Sequence, residues 1–382
     1  MRVLIAGGGT GGHIYPGITV ARLLAERGEE VAFMGTPHGL EAEVVKRYGF
    51  PFLPISSATM PRRISPAMIK TGFTALAGVM AALRHLREYR PAVVVGMGGY
   101  VSGPALLAAR LLGIPTVIHE QNAYPGLTNR LLARLVSRVA LGYEEAARHL
   151  PTKNIVFTGN PIRPEIISMS RAEGLAAFGL RPACRCVLVA PGSQGSRRIN
   201  QAMLEALPQL SRRTDLEVIH AAGKGNFAEH TARLVAAGGK MATGEHGPCC
   251  RYKNILVLPY IHNMPAAYAA ADLVVARGGA ISAAEITARG IPAILIPYPY
   301  AAENHQLANA RLLEKHGAAV VLLDEEVNGK SLCDQIYSLL DAPNRLQQMQ
   351  AASRRLGRPE AAAALVDLIW QLGRKRAAGQ DE

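Results

Sequence analysis

Aromatic residues are scarce in this 382-residue chain: 7 Phe, 12 Tyr and 1 Trp make up 5 % of it. That scarcity argues against the stacking platforms that hold single-stranded nucleic acid. Long apolar runs are missing too. The most apolar regions, 103–118 and 291–302, are broken by Arg110, Gly113 and several prolines. Neither reaches the ~18 uninterrupted residues of a membrane span. The opening MRVLIAGGG reads as a strand entering a loop and lacks an apolar stretch of signal-peptide length. The cysteines, Cys184, Cys186, Cys249, Cys250 and Cys333, are odd in number and lack zinc-site spacings, so reduced thiols are expected. Acidic residues are outnumbered, 29 Asp and Glu against 42 Lys and Arg, for a net charge of +13. Such a balance suits nucleic acid, phosphorylated substrates or an anionic bilayer without choosing among them.

What is present is a repeated rhythm. Hydrophobic residues make up 49 % of the chain, enough for two domains with their own cores. Short apolar runs at 3–6, 31–34, 92–95 and 116–119 alternate with helical patterns at 17–28, 40–48, 66–89, 103–112 and 126–135. The rhythm restarts after Asn160-Pro161, with strands expected at 186–190, 216–220, 255–258, 273–276, 293–296 and 319–322. This alternation predicts α/β domains whose parallel sheets are covered on both faces. The boundaries expected are 1–160 and 161–355. A C-terminal segment, 356–382, carries a helix at about 359–373 that packs back on the first domain, followed by a frayed tail. The segment 241–254, with its Cys249-Cys250 pair, is expected to be a surface loop.

Glycine loops follow several strands. Gly7, Gly9 and Gly12 have G-x-G-x-x-G spacing, which suggests a phosphate at a helix N-terminus. A dinucleotide site also wants an acid after the second strand, and that strand runs into Met34, Gly35 and Thr36 instead. His13 follows the loop directly. It either caps the helix start or acts as a general base on a hydroxyl held near a phosphate. A second loop, GMGGYVSGP (96–104), is either a tight turn or a close approach to ligand. HEQN (119–122) ends a strand where ligands bind in such sheets, with core hydrogen bonding as the competing account.

In the second half, GSQGSRRIN (192–200) reads as a phosphate-facing loop, with Ser193 as a contact and Arg197 or Arg198 as added charge. RGGAISAAEITARG (277–290) gives a strand, a Gly-Gly turn and a helix near Ser282. Ser282 and Glu285 fit a capping box; alternatively the turn takes a phosphate and Glu285 accepts two ribose hydroxyls. In ENHQLANA (303–310), Gln306 and Asn309 lie one helical turn apart on one side. Segment 61–90 mixes apolar residues with Arg62, Arg63, Lys70, Arg84, Arg87 and Arg90. It is either a core helix with solvated charges or a face laid on anionic lipid.

Taken together, GGGTGGHIYPG, GGYVSGP, HEQNAYPGLTNR, TGNPIR, GSQGSRRIN, RGGAISAAEI and ENHQLANA closely resemble the MurG family over nearly the whole chain. The resemblance implies the GT-B fold, two facing Rossmann-like doubly wound domains with an interdomain cleft. It implies inverting transfer of N-acetylglucosamine from UDP-GlcNAc to lipid I, undecaprenyl-diphosphate-MurNAc-pentapeptide, at the cytoplasmic face of a bacterial inner membrane. By motif match, Thr10, Gly11, Gly12, Asn122, Arg163, Ser193, Ile261, Ala280, Ile281, Ser282, Ala283, Ala284, Glu285, Gln306 and Asn309 would bind the donor. Gly8, Gly9, Gly98, Gly99, Tyr100 and Ser102 would meet the acceptor's diphosphate, and His13 would be the base. Ile64, Met68, Ile69, Phe73 and Leu76 would touch an anionic membrane surface. No D-x-D occurs, so no metal or other cofactor is expected, and no nucleic-acid partner. The rivals are a UDP-GlcNAc epimerase, a transferase with a diacylglycerol acceptor, and a dinucleotide oxidoreductase.

Overall fold

The computed structural model describes the backbone of residues 1–57 and 67–378, and the side chains of 1–57 and 71–375. The chain divides into two compact units: residues 1–162 joined by 358–382, and residues 163–357. The junctions fall two residues beyond those expected, at Ile162/Arg163 and Gly357/Arg358.

Unit 1 contains strands β1 (Arg2–Ala6), β2 (Glu30–Gly35), β3 (Phe52–Pro54), β4 (Val93–Gly96), β5 (Thr116–Glu120), β6 (Arg138–Leu141) and β7 (Ile155–Phe157). They form one parallel sheet in the order β3-β2-β1-β4-β5-β6-β7. Its helices are α1 (Gly11–Glu26), α2 (Leu40–Arg47), α3 (Ala67–Tyr89), α4 (Ser102–Leu111) and α5 (Leu127–Leu132). Successive strand residues point to opposite faces. Leu4, Ala6, Met34, Val94 and Ile118 therefore pack on one side, and Val3, Ile5, Phe33, Val95 and Val117 on the other. Both faces are dry, which is why these strands read as continuous apolar runs. Helix α1 starts at Gly11 rather than at 17. Pro16 lies inside it and removes one backbone hydrogen bond without ending it.

Unit 2 has helices α6 (Glu165–Ser168), α7 (Arg171–Ala177), α8 (Arg197–Leu210), α9 (Phe227–Ala236), α10 (Met264–Ala270), α11 (Ala280–Arg289), α12 (His305–Lys315), α13 (Gly329–Leu340) and α14 (Pro343–Leu356). Its strands are β8 (Arg185–Ala190), β9 (Leu216–Ala221), β10 (Lys240–Gly244), β11 (Gly247–Tyr252), β12 (Ile255–Leu258), β13 (Leu273–Ala276), β14 (Ala293–Leu295) and β15 (Ala319–Val321). They run β10-β11-β12-β9-β8-β13-β14-β15. Segment 241–254 is thus not a loop. It folds as an antiparallel hairpin that extends the sheet through β12, with Cys250 opposite Val257.

The last helix, α15 (Ala361–Ala378), belongs to unit 1. It buries Leu365, Val366, Leu368 and Ile369 against Val3, Ile5, Ile14 and Ile18. The stretch 374–378, expected to fray, is the helix's last turn.

Candidate functional site

In an open parallel sheet, ligands sit where the strand order reverses, beyond the strands' carboxyl ends. In unit 1 that point lies between β1 and β4, and in unit 2 between β8 and β13. The loops at those two points are the glycine-bearing segments singled out above.

In unit 1, the first loop and the β4 loop are pressed together. A Cβ on Gly99 would stand 2.4 Å from the Gly8 carbonyl oxygen, and both Gly98 and Gly99 hold positive φ, 99° and 79°. Only glycine tolerates both demands. His13 lies in the first turn of α1. Its Nδ1 is 3.1 Å from the Gly8 carbonyl and 3.3 Å from Thr10 Oγ1. A carbonyl only accepts, so in the neutral ring the proton sits on Nδ1 and the lone pair on Nε2. No side chain caps α1, and its first turn carries no acid. The amides of Gly11 and Gly12 thus keep the positive potential of a helix N-terminus.

Two of the expected acceptor contacts have partners within the chain. The Gly9 N–H donates to Glu41 Oε2 at 3.2 Å, while Glu41 Oε1 accepts from the Thr36 amide and hydroxyl at 3.1 and 2.6 Å. This buried carboxylate occupies the amide that an anion was expected to use, and a Cβ on Gly8 would stand 2.5 Å from it. Ser102 is fully buried. Its hydroxyl accepts from the Gly98 N–H at 3.1 Å and lies 3.0 Å from the Ala6 carbonyl, so it ties the two loops together. The Tyr100 ring covers Gly9, 3.2 Å from where its Cβ would be.

The HEQN segment divides by role. Glu120 is buried and accepts four hydrogen bonds, from Asn122 N and Nδ2, Gly126 N and Asn129 Nδ2, at 2.8–3.1 Å. It shapes residues 120–129, and Asn122 is held by it. His119 is fully buried, and burial pulls its imidazole down to about 4 despite a hydrogen bond to Gly159 that favours the proton. His119 and Glu120 therefore belong to the core.

In unit 2, Gly279 begins α11 with no side-chain cap and no acid in the first turn. Of the two readings of Ser282 and Glu285, the capping box is absent. The helix starts at Ala280, so Ser282 already lies within its first turn. Glu285 instead accepts from Arg163 Nη2 at 3.0 Å and Nε at 3.3 Å. Burial raises the Glu285 carboxyl above the usual carboxylate range, against the pull of Arg163 and Tyr268. Ala280 and Ala283 are buried, and Ile281, Ser282 and Ala284 are half-buried.

Gly278 packs on α12: a Cβ there would stand 2.3 Å from the Gln306 carbonyl. Asn309 is fully buried and donates from Nδ2 to the Gly278 carbonyl at 3.0 Å. It props the Gly-Gly turn from behind. Gln306 is half-buried and its Oε1 accepts the Tyr298 N–H at 3.0 Å. Ser193 is exposed on the loop after β8, and Ile261 is buried just after β12.

Sequence reasoning missed Glu41, whose signal was its place in the first turn after GTPHG. It also missed Arg277, which joins Ser196 Oγ (2.7 Å) to Asp324 (2.5 Å) and so ties the β8 loop to the β13 loop. Of the membrane residues, Phe73 and Leu76 are exposed on α3, at 70 % and 60 %. Ile64 and the side chains of Met68 and Ile69 lie outside the described residues.

Two doubly wound sheets with glycine loops at their switch points are a nucleotide-binding architecture, and the comparisons make it that of a glycosyltransferase. Residues 3–141 match the glycosyltransferase family 28 N-terminal domain, and residues 186–365 match the family's C-terminal domain. The chain is 46 % identical over 97 % of its length, and 98 % of the relative's, to a protein of Halothermothrix orenii. That relative is described as UDP-N-acetylglucosamine–N-acetylmuramyl-(pentapeptide) pyrophosphoryl-undecaprenol N-acetylglucosamine transferase. A protein of Moorella thermoacetica with the same description is 44 % identical, over 97 % of this chain and 98 % of its own. Among solved structures, Acinetobacter baumannii MurG aligns with a TM-score of 0.75 at 30 % identity, over 97 % of this chain and 99 % of its own. A Neisseria meningitidis UDP-GlcNAc 2-epimerase bound to UDP-GlcNAc has a TM-score of 0.67 at 14 % identity, over 97 % and 100 % of the two chains, and shares the fold alone. The chain belongs to glycosyltransferase family 28 and, within it, to the MurG family.

Proposed function

We propose that this chain transfers N-acetylglucosamine from UDP-GlcNAc to undecaprenyl-diphosphate-linked MurNAc-pentapeptide, with inversion at the anomeric carbon. The observation that carries the reading is near full-length identity of 46 % to a transferase of that description. The family's glycine loops after β1, β4, β8 and β13 also lie beside the two switch points.

Unit 2 takes the donor. The uncapped start of α11 and the loop bearing Ser193 offer backbone amides to the diphosphate. Glu285, aligned by Arg163, accepts from the ribose hydroxyls, and Ile261 meets the base. Gln306 contacts the donor sugar. Unit 1 takes the acceptor at Gly98, Gly99 and the start of α1.

In the transfer, a free MurNAc hydroxyl forms the new bond to the anomeric carbon as the bond to the UDP oxygen breaks. The hydroxyl's proton goes to His13 Nε2, the nitrogen that carries the lone pair in the tautomer set by Gly8. Charge gathering on UDP is met by fixed backbone dipoles. No helix among the described residues is long and apolar enough to cross a membrane. We infer that the exposed apolar side of α3 meets anionic lipid at the cytoplasmic side of the inner membrane, where the lipid acceptor is taken up.

The test is UDP release with and without a lipid I analogue. Release that needs the analogue, and that falls at least about a hundredfold in His13→Ala, is the expected result. UDP-GlcNAc consumption without any lipid would point to epimerisation, and release driven by diacylglycerol to the other transferase.

A further inference from the structure

We propose that Gln121 is an acceptor-binding residue whose side-chain carbonyl takes a hydrogen bond from a hydroxyl or amide N–H of the muramyl unit held beside His13. This rests on the acceptor reading of unit 1 given above.

The orientation of the Gln121 amide follows from its neighbours. One end lies 2.7 Å from the Met97 carbonyl, which can only accept, so that end is the NH2. The same nitrogen is 3.1 Å from His119 Nδ1. His119 Nε2 is 3.0 Å from the Gly159 carbonyl and must donate there, which leaves the lone pair on Nδ1 to accept the second N–H of Gln121. Burial keeps His119 neutral, so Nδ1 does not become a competing donor. Both amide hydrogens are therefore committed, and the backbone carbonyl of Gln121 is held by Asn160 Nδ2 at 2.9 Å.

The side-chain oxygen is different. Gln121 is 2 % exposed, and its Oε1 has no hydrogen-bond partner. A buried carbonyl left in that state is costly, and a ligand donor removes the cost. Its surroundings say which ligand. A Cβ built on Gly98 would stand 2.8 Å from His13 Cδ2, 3.0 Å from His13 Nε2 and 3.5 Å from Gln121 Oε1. The carbonyl and the imidazole thus both close on the Gly98 Cα, at a spot too tight for even a methyl group, which is why the backbone there stays bare. The spot lies at the carboxyl ends of β4 and β5, beside the start of α1. A sugar that offers its hydroxyl to His13 there brings a second polar hydrogen within reach of Oε1.

The experiment uses the full-length enzyme with a short-chain lipid I analogue. Wild type is compared with Gln121→Met, which keeps length and volume but removes the carbonyl. The expected result is an acceptor KM raised about tenfold with the UDP-GlcNAc KM within about twofold of wild type. A merely structural residue would instead lower the melting temperature and leave the ratio of the two KM values unchanged, and that result overturns the proposal. Independently of folding, the unaltered enzyme is assayed with acceptors lacking the muramyl 6-hydroxyl or carrying an N-methylated acetamide. One of the two should raise KM about tenfold, and two unaffected values would also overturn the assignment. Wild type that does not turn over any lipid I analogue would instead sink the underlying function.

Discussion

Three histidines are held neutral by burial, and that has a consequence for pH. His119 and His230 are each pulled down to about 4, and His220, fully buried with Nε2 on Asn200 Oδ1, well below its ordinary value. In the unfolded chain each takes a proton near pH 6.5, while in the fold none does until well below that. Their contribution is therefore intact above about pH 6.5 and drains away as the pH falls toward 4. The slope is about 1.4 kcal/mol per pH unit for each. Urea titrations at about pH 7.5 and 5.5 should show a marked loss, and equal stabilities would refute this account. At this scale the sequence was only partly readable. The motif HEQN marked a site, but not that Glu120 would be spent on four local hydrogen bonds while Gln121 kept one atom unspent. Ser102 and Asn309 carry the right chemistry for ligands, yet both point inward, because a side chain's direction depends on where its helix begins. Glu41 was only half legible: Thr36 lies five residues before it, but Gly9 comes from a loop far away in the sequence.

Helix α3 shows what its neighbours leave uncovered. Ala82 and Leu86 are buried, while Phe73, Leu76 and Met80 are 70 %, 60 % and 63 % exposed. The spacing of three and four residues puts these three on one side. Exposed apolar side chains in a row, with Arg84 and Arg87 near the end of the same helix, fit a layer with acyl chains below and anionic headgroups above. Sedimentation with phosphatidylglycerol vesicles should fall several-fold in the double variant Phe73→Glu, Leu76→Glu, while UDP-GlcNAc binding stays unchanged. Undiminished sedimentation would return α3 to an ordinary surface helix. The elements themselves were mostly legible, because strands buried on both faces announce themselves as apolar runs. The strands overlooked were β3 and β7, three residues each, the four-residue β6, and the hairpin β10–β11, and helices α6, α7 and α14 went unmarked too. Every residue of β10 is exposed, so it has no alternation to read. Its pairing is fixed by the partner strand, which a local pattern does not contain.

For the whole chain, the division into two units was visible as a rhythm that stops at Asn160-Pro161 and starts again. The return of the C-terminus to unit 1 rests on less: one Ala-rich amphipathic helix after the last strand. Its energetic weight is nevertheless large. Leu365, Val366 and Ile369 are 0 % exposed and Leu368 is 9 % exposed. Burying such a side chain is worth about 1.5–3 kcal/mol, so four of them supply about 6–12 kcal/mol. A domain's net stability is itself only about 5–15 kcal/mol. Arg358 adds a cation–π contact over Phe157, 5.3 Å from the ring centre, at the point where the chain re-enters unit 1. Unit 2, complete by Gly357, owes nothing to this helix for its own core. A chain ended after Gly357 should therefore fail selectively. Under limited proteolysis, residues 1–162 should be digested while a fragment near 163–357 survives, identified by its mass. The milder pair Leu365→Ala, Ile369→Ala should lower only the melting transition of unit 1. If the shortened chain kept a protease-resistant unit 1, the helix would be an appendage, and the first sheet's second face would have to be dry without it. That is hard to reconcile with Val3, Val93 and Val95, which share its hydrophobic cluster and are 0 % exposed.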